Sequence, residues 1–123
     1  MRHKLVYCAT PSRLAHLAID IMDYVSDKGY VPFQPLIALP REFCEEGNAG
    51  RDGAIDICLA FVETCPKFWL FGISEGTLKE IIRALEIERK PRLINGFDTE
   101  REKFYAELGP KFGYPLKGLS WLD

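Results

Sequence analysis

One carboxylate stands apart from the other charged residues of its predicted helix. The segment Ser74–Lys90 repeats apolar residues at helical spacing, and Glu80 lies outside both the apolar stripe and the charged sector of this helix. Its flank of the helical wheel is shared with Thr77, Ala84 and Ile87. A carboxylate in such a flank is a candidate for a perturbed pKa and a functional task. The alternative interpretation is a pair with Arg83 at i, i+3, or exposure at the helix edge.

Tyrosine and aspartate are two further residue types that could take part in catalysis at the same end of the molecule. Tyr7 lies near the end of the first predicted strand, where its hydroxyl could enter a cleft, although most strand tyrosines are packing residues. Asp52 and Asp56 share one face of another predicted helix with Glu63, a pattern typical of a solvated face. Tyr7 is therefore a candidate with a structural alternative, and the acidic face is weaker still.

These residues lie in a chain that Gly and Pro divide into alternating strand-like and helix-like segments, the pattern of an α/β fold. We predict strands at Lys4–Ala9, Tyr30–Leu36, Phe68–Phe71 and Arg92–Asn95, and helices at Pro11–Lys28, Asp52–Cys65, Ser74–Lys90 and Asp98–Leu108. Pro32 and Pro35 remove ladder donors, which predicts an edge position for the second strand. The unbroken apolar run of the third strand predicts a central one. The tail is expected to be mostly loop, with Leu119–Leu122 as an edge strand or a cover for a partner subunit.

Three loops are candidates for ligand binding. Ligands of an open parallel sheet bind beyond the carboxyl ends of its strands, which here are followed by Thr10–Arg13, Gln34–Arg41 and Gly72–Gly76. The first and last of these loops also open a helix, whose free N–H groups and positive dipole end favour an anion.

Composition restricts the number of domains and the classes of partner. The chain has 123 residues, so we expect a single domain over residues 1–123. A formal net charge of −2 provides no positive field for a nucleic-acid polymer. The apolar run Leu5–Thr10 is too short for a signal sequence or a membrane span, which favours a cytoplasmic protein without a membrane partner. The apolar arc of the Ser74–Lys90 helix is wider than one sheet face covers, which predicts a homo-oligomer, a dimer or larger.

The spacing of the cysteines indicates whether they could bind a metal ion. The four cysteines form no C-x-x-C pair and have no His at ligand spacing, so we expect reduced thiols and no metal site.

Several of these segments resemble the nucleoside 2-deoxyribosyltransferase superfamily, which includes the 2'-deoxynucleoside 5'-monophosphate N-glycosidases. Members open with a strand reading Y-[IF]-A-G-P, which Tyr7–Pro11 matches at Tyr, Ala and Pro. Their central part consists of a long helix, an apolar strand and the motif S-x-G-x-x-x-E. A further strand follows, which begins at the motif "gKPv". Here the corresponding segments are Phe68–Gly72, Ser74–Glu80 and Arg89–Arg92.

The resemblance implies a flavodoxin-like, doubly wound three-layer sandwich with a mainly parallel sheet of four to five strands. It implies that Glu80 is a nucleophile that attacks C1' of a 2-deoxyribosyl group, that Tyr7 orients it, and that no metal or organic cofactor is needed. By the same resemblance, Asp56, or Asp52 one turn away, protonates the leaving base. The expected substrate is a nucleoside or nucleotide, and the expected binding residues are Thr10, Ser12, Arg13, Ser74 and Gly76, with Ser74, Ser12 and Arg13 near a phosphate.

The chain departs from the family pattern at two places. Pro66 stands where members usually carry Asp before the central strand, and Thr10 replaces the glycine of A-G-P. Pro66 and the lack of a clean equivalent of the family's helical aspartate favour an alternative: a non-catalytic module on the same fold that binds a nucleotide or nucleotide-sugar.

Overall fold

The structure, a computed structural model, describes residues 4–39, 50–111 and 121–122. In these residues the strands are β1 (Leu5–Ala9), β2 (Val31–Phe33), β3 (Lys67–Leu70), β4 (Arg92–Ile94) and β5 (Trp121–Leu122). The helices are α1 (Ala18–Asp27), α2 (Pro35–Ala38), α3 (Gly50–Thr64), α4 (Glu75–Glu86) and α5 (Arg101–Leu108), and a 3-10 helix at Ser12–Leu17 precedes α1.

The strands form one parallel sheet in the order β2-β1-β3-β4-β5. This order is that of flavodoxin-like doubly wound sheets, and it confirms the predicted fold class. β2 occupies an edge and β3 lies between two neighbours, as the prolines of the one and the apolar run of the other predicted. The predicted edge strand near the C-terminus is also present, at Trp121–Leu122.

Alternation along β1 divides the core between the two faces of the sheet. Tyr7 and Ala9 join the cluster covered by α3 and α4, which includes the central Phe68. Val6 and Cys8 join the opposite cluster, which α1 covers through Ile21 and Val25. Because successive side chains of a strand point to opposite faces, the position of Tyr7 on β1 sends its ring toward α4.

Four predicted boundaries differ from the structure by three residues or more. The Pro11–Lys28 helix starts as a 3-10 helix, and its regular part begins only at Ala18. The second strand ends at Phe33 rather than Leu36, because Gln34 caps the short helix α2 and Pro35 occupies its first turn.

The other two boundaries are at helix ends. α4 stops at Glu86 rather than Lys90, since Glu88 and Lys90 have positive φ angles and Pro91 disfavours a helical residue before it. α5 begins at Arg101 rather than Asp98, because the Asp98 carboxylate accepts the Glu100 N–H and holds the chain in a turn.

Part of the wide apolar arc of α4 is covered within the chain. Leu78 and Ile81 are buried in one cluster with Leu93 of the sheet and Val62 of α3, whereas Ile82 is half-buried. The homo-oligomer stays a prediction.

Candidate functional site

The centre of the candidate site is a contact between β1 and α4. The Tyr7 ring is held between Phe33 and Phe68, with centroids 5.8 and 5.6 Å away and nearly parallel planes. From this position the Tyr7 hydroxyl donates a hydrogen bond to Oε2 of Glu80. Stacking on two sides fixes the ring, so the hydroxyl reaches the carboxylate from a rigid element. The hydroxyl of Tyr7 thus lies at the carboxylate, as the resemblance implied.

Glu80 is buried, with 7% of its surface exposed. Burial raises the pKa of its carboxyl from 4.5 to about 7, and the hydrogen bond from Tyr7 opposes that rise. The expected alternative, a pair with Arg83, is wrong. The Arg83 guanidinium instead forms ion pairs with Glu63 and Glu86 on the outer side of the helices.

Burial also raises the pKa of Tyr7 well above its ordinary value, and Glu80 and Cys58 raise it further. The phenol therefore keeps its proton at neutral pH and acts as a hydrogen-bond donor.

Glu80 opens onto a cleft of about 120 Å³ at the carboxyl ends of β1 and β3. A space of this size is similar to an engineered cavity of about 150 Å³ that binds benzene, so it accommodates one small ring. Its lining comes from the loops after β1, β2 and β3 and from the helices α2, α3 and α4: Thr10, Pro11, Ser12, Pro35, Leu36, Leu39, Ala54, Ile55, Cys58, Ser74, Gly76, Thr77 and Glu80. The structure therefore brings five of the predicted site residues together: Thr10, Ser12, Ser74, Gly76 and Glu80.

The wall after β1 is held by a buried amide. Gln34 donates from Nε2 to Oγ1 of Thr10 at 3.1 Å, and Thr10 donates in turn to the carbonyl of Cys8 at 3.1 Å. The other end of the Gln34 amide accepts the N–H of Leu36 at 3.3 Å. Gln34 thus links two loops of the cleft, a role that sequence reasoning missed. The one available signal was a polar residue placed between a strand and the proline of a helix start.

The wall after β3 is the start of α4, which Ser74 caps as predicted. Ser74 Oγ accepts the N–H of Thr77 at 3.1 Å, while Thr77 Oγ1 accepts the N–H of Ser74 at 2.8 Å. Thr77 also donates to the carbonyl of Gly72 at 2.9 Å. A side chain at Gly72 would lie 2.7 Å from Cγ of Pro11, so only glycine permits this contact between the two loops.

Arg13 lies at a different place from the one expected of a phosphate ligand. Its guanidinium donates to the carbonyl of Ile73 at 2.5 Å and pairs with the Asp98 carboxylate at 2.6 Å, and it stacks over the ring of Phe104 at 3.9 Å. Asp98 is buried and also accepts the N–H of Ile73 at 3.0 Å. Arg13 does not line the cleft. It fixes the loop after β3 against the 3-10 helix, and its partner Asp98 was not recognised from the sequence.

The two aspartates of α3 were the candidates for protonating a leaving group. Asp56 is exposed and is not among the lining residues, although its neighbours Ile55 and Cys58 are. The side chain of Asp52 lies outside the described part of the chain. The described site therefore contains the predicted nucleophile and its tyrosine without the predicted aspartate.

A family model covers most of this architecture. The model of a domain of unknown function, DUF7768, matches residues 5–94, which run from the start of β1 to the end of β4. The chain belongs to the DUF7768 family. The match includes both Tyr7 and Glu80. No curated protein and no solved structure matches the chain.

Two other findings concern the described residues of this DUF7768 protein. No three His, Cys, Asp or Glu side chains of the described ranges come together as a metal site. No helix in the same ranges has the length and apolarity that a membrane crossing requires.

Proposed function

We propose that this DUF7768 protein cleaves the N-glycosidic bond of 2'-deoxynucleosides or their 5'-monophosphates through Glu80. The observation that carries the proposal is the buried Glu80 carboxylate, held by the Tyr7 hydroxyl at a cleft between the first and third strand ends. A nucleophilic carboxylate needs a fixed direction and restricted access to water, and both are provided here. The resemblance of Tyr7–Pro11 and Ser74–Glu80 to the deoxyribosyltransferase superfamily supports the same assignment.

The proposed reaction has two steps. An Oε atom of ionised Glu80 forms a bond to C1' as the bond from C1' to the base nitrogen breaks, and the base leaves with the electron pair and takes a proton from solvent water. Water or a second base then attacks C1' and gives up its proton to solvent, and the carboxylate is released with net retention. With a pKa of about 7, Glu80 is about half ionised at neutral pH. Tyr7 stabilises the ionised form by donating to it.

The start of α4 is the proposed site for the 5' end of the substrate. Ser74 and Gly76 line the cleft there, and the N-terminal N–H groups of a helix favour an oxygen or an anion. Since Arg13 is paired with Asp98, we assign it to holding the loop rather than to binding substrate.

A second candidate function is the non-catalytic binding module. It is favoured by the exposure of Asp56, which leaves the described cleft without the expected proton donor. On this reading the same cleft binds a nucleoside or nucleotide that is never cleaved.

Chromatography of free base distinguishes the two. The wild type, Glu80→Gln and Glu86→Gln are each incubated with the four deoxynucleosides, their 5'-monophosphates and an added second base. We expect base release by the wild type and by Glu86→Gln, because Glu86 lies on the exposed side of the same helix. Glu80→Gln should lose release by at least about a hundredfold, as removal of a nucleophile does.

Each possible result has a defined meaning. A new nucleoside or nucleotide formed only with the added base identifies a transferase, and free deoxyribose, or deoxyribose 5-phosphate from a monophosphate, identifies a hydrolase. Release that survives in Glu80→Gln contradicts the nucleophile. Ligand-induced thermal stabilisation without release in the wild type supports the binding module instead.

A further inference from the structure

The wall of the cleft after β1 carries a chain of hydrogen bonds whose direction is fixed at both ends. At one end the Leu36 N–H donates to Oε1 of Gln34 at 3.3 Å. Because a backbone N–H can only donate, this contact sets the orientation of the amide, and Nε2 of Gln34 faces Thr10. At the other end the Thr10 hydroxyl donates to the carbonyl of Cys8 at 3.1 Å, and a carbonyl can only accept.

This chain determines what the Thr10 hydroxyl can offer to a ligand. Its hydrogen is used by the Cys8 carbonyl, and one lone pair of Oγ1 accepts from Nε2 of Gln34 at 3.1 Å. A hydroxyl oxygen has two lone pairs, and within the described part of the chain no donor uses the second. Thr10 is buried and lines the cleft. Toward the cleft its hydroxyl is therefore a hydrogen-bond acceptor.

The wall after β3 has the opposite polarity. Oγ of Ser74 accepts the Thr77 N–H at 3.1 Å, while the described partner of its own hydrogen is Oγ1 of Thr77 at 3.3 Å, a long distance for two hydroxyls. That oxygen already accepts the Ser74 N–H at 2.8 Å and donates to the carbonyl of Gly72. The Ser74 hydroxyl can therefore turn and donate to a ligand, beside the first N–H groups of α4.

The two polarities distinguish the oxygen atoms of the proposed substrate. A 5'-phosphate dianion has acceptors only, so it is favoured at the donors of the α4 start and disfavoured at the Thr10 acceptor. The 3'-hydroxyl of deoxyribose carries a hydrogen that it can donate to Thr10. Leu36, Leu39 and Ile55 supply an apolar part of the lining for the ring of the base.

We propose that Thr10 determines specificity by accepting a hydrogen bond from the 3'-hydroxyl of the substrate. The inference rests on the proposed function, which supplies the deoxyribosyl group. It gives a task to the residue that replaces the glycine of the motif A-G-P, since glycine has no side chain to offer at this position. Gln34 is a positioning residue, because its amide holds the Thr10 hydroxyl in this orientation.

The test compares two ligands that differ by one hydroxyl. Calorimetric titration of Glu80→Gln, which lacks the proposed nucleophile, measures the affinity for a 2'-deoxynucleoside and for the 2',3'-dideoxynucleoside with the same base. We expect the dideoxynucleoside to bind about tenfold more weakly, because it leaves the buried Thr10 acceptor without a donor.

Substitutions at Thr10 in the same Glu80→Gln protein separate recognition from structure. Thr10→Val keeps the shape of the side chain and removes the hydroxyl, so the two ligands should bind alike. Thr10→Ala removes the hydroxyl without placing a methyl group against Gln34, and it should give the same result. Thr10→Ser keeps the hydroxyl and should keep the ratio of affinities. A purely structural role of Thr10 would weaken both ligands by the same factor and leave the ratio unchanged.

The ratio of affinities and the release of base decide different claims. Equal affinities for the two ligands in Glu80→Gln overturn the inference, as does a ratio that Thr10→Val and Thr10→Ala leave unchanged. Absence of binding of either ligand also overturns it, and base release by the wild type then decides the proposed function separately. If the wild type releases no base, the proposed function is contradicted, while a ratio that depends on the Thr10 hydroxyl still supports the inference for a binding module.

Discussion

The buried Glu80 carboxyl should make the folded protein less stable as the pH rises through neutrality. Its pKa is raised from 4.5 to about 7 by burial, so the folded state prefers the protonated acid. A raised acid pKa adds stability below the unfolded value of about 4.5, and that stability is lost as the pH rises to about 7. Each unit corresponds to about 1.4 kcal/mol, so the loss across this window is about 3 kcal/mol.

The perturbation is Glu80→Gln, which keeps the shape and removes the titration. Near pH 4.5 the two proteins should have similar free energies of unfolding. Above pH 7 the variant should be the more stable by about 3 kcal/mol, which corresponds to about 10 °C in the melting temperature of a domain of this size. Urea unfolding at intervals between pH 4.5 and 8 measures the difference. Contributions that the two proteins share cancel when the variant is subtracted from the wild type.

A pH-independent difference between the two proteins would refute the reasoning, because it would mean that Glu80 titrates alike in the folded and unfolded states. Tyr7→Phe is a second test variant, and it should change the pH range in which stability is lost. It removes the hydrogen bond that stabilises the ionised carboxylate, so the loss of stability should extend to higher pH than in the wild type.

Three substitutions test the contacts that build the cleft. Asp98→Ala should lower the free energy of unfolding, measured in urea, by about 3 kcal/mol. The substitution leaves the part-buried Arg13 guanidinium and the Ile73 N–H without the Asp98 acceptor. A loss no larger than that of the exposed control Glu102→Ala would contradict this prediction. Gly72→Ala should cost about 1–3 kcal/mol because its Cβ would lie 2.7 Å from Pro11. Gly76→Ala should leave stability unchanged or raise it by up to about 1 kcal/mol, since its Cβ meets only Ser74 Oγ at 3.9 Å among the described residues. If thermal unfolding shows that Gly72→Ala and Gly76→Ala lose equal amounts of stability, the fold also requires glycine at position 76.

Much of the local structure could be predicted because its causes are local. Proline in the second strand predicted an edge, and an unbroken apolar run predicted a central strand. Ser74 predicted the start of α4 through its cap. Helix ends were less predictable. The end of α4 depends on two left-handed residues, and the start of α5 depends on a turn held by Asp98.

The candidate site was predictable where a residue breaks the pattern of its own element. Glu80 was recognised because it interrupts the regular faces of an amphipathic helix. Arg13 could not be placed in this way, since its partner Asp98 is 85 residues away and only the tertiary fold brings them together. The same holds for Gln34 and Thr10, whose bond joins two separate loops.

The sequence by itself thus determined the α/β class, the edge and central strands, the cap of α4 and the anomaly at Glu80, because each is encoded by neighbours along one element. Only the tertiary structure decided that Tyr7 meets Glu80, that Cys58 lines the same cleft, and that the exposed Asp56 is not among its lining residues. These facts depend on the rotation and packing of α3 and α4 over the sheet. Periodicity fixes which residues of a helix share a face, whereas contacts with distant segments fix where that face points.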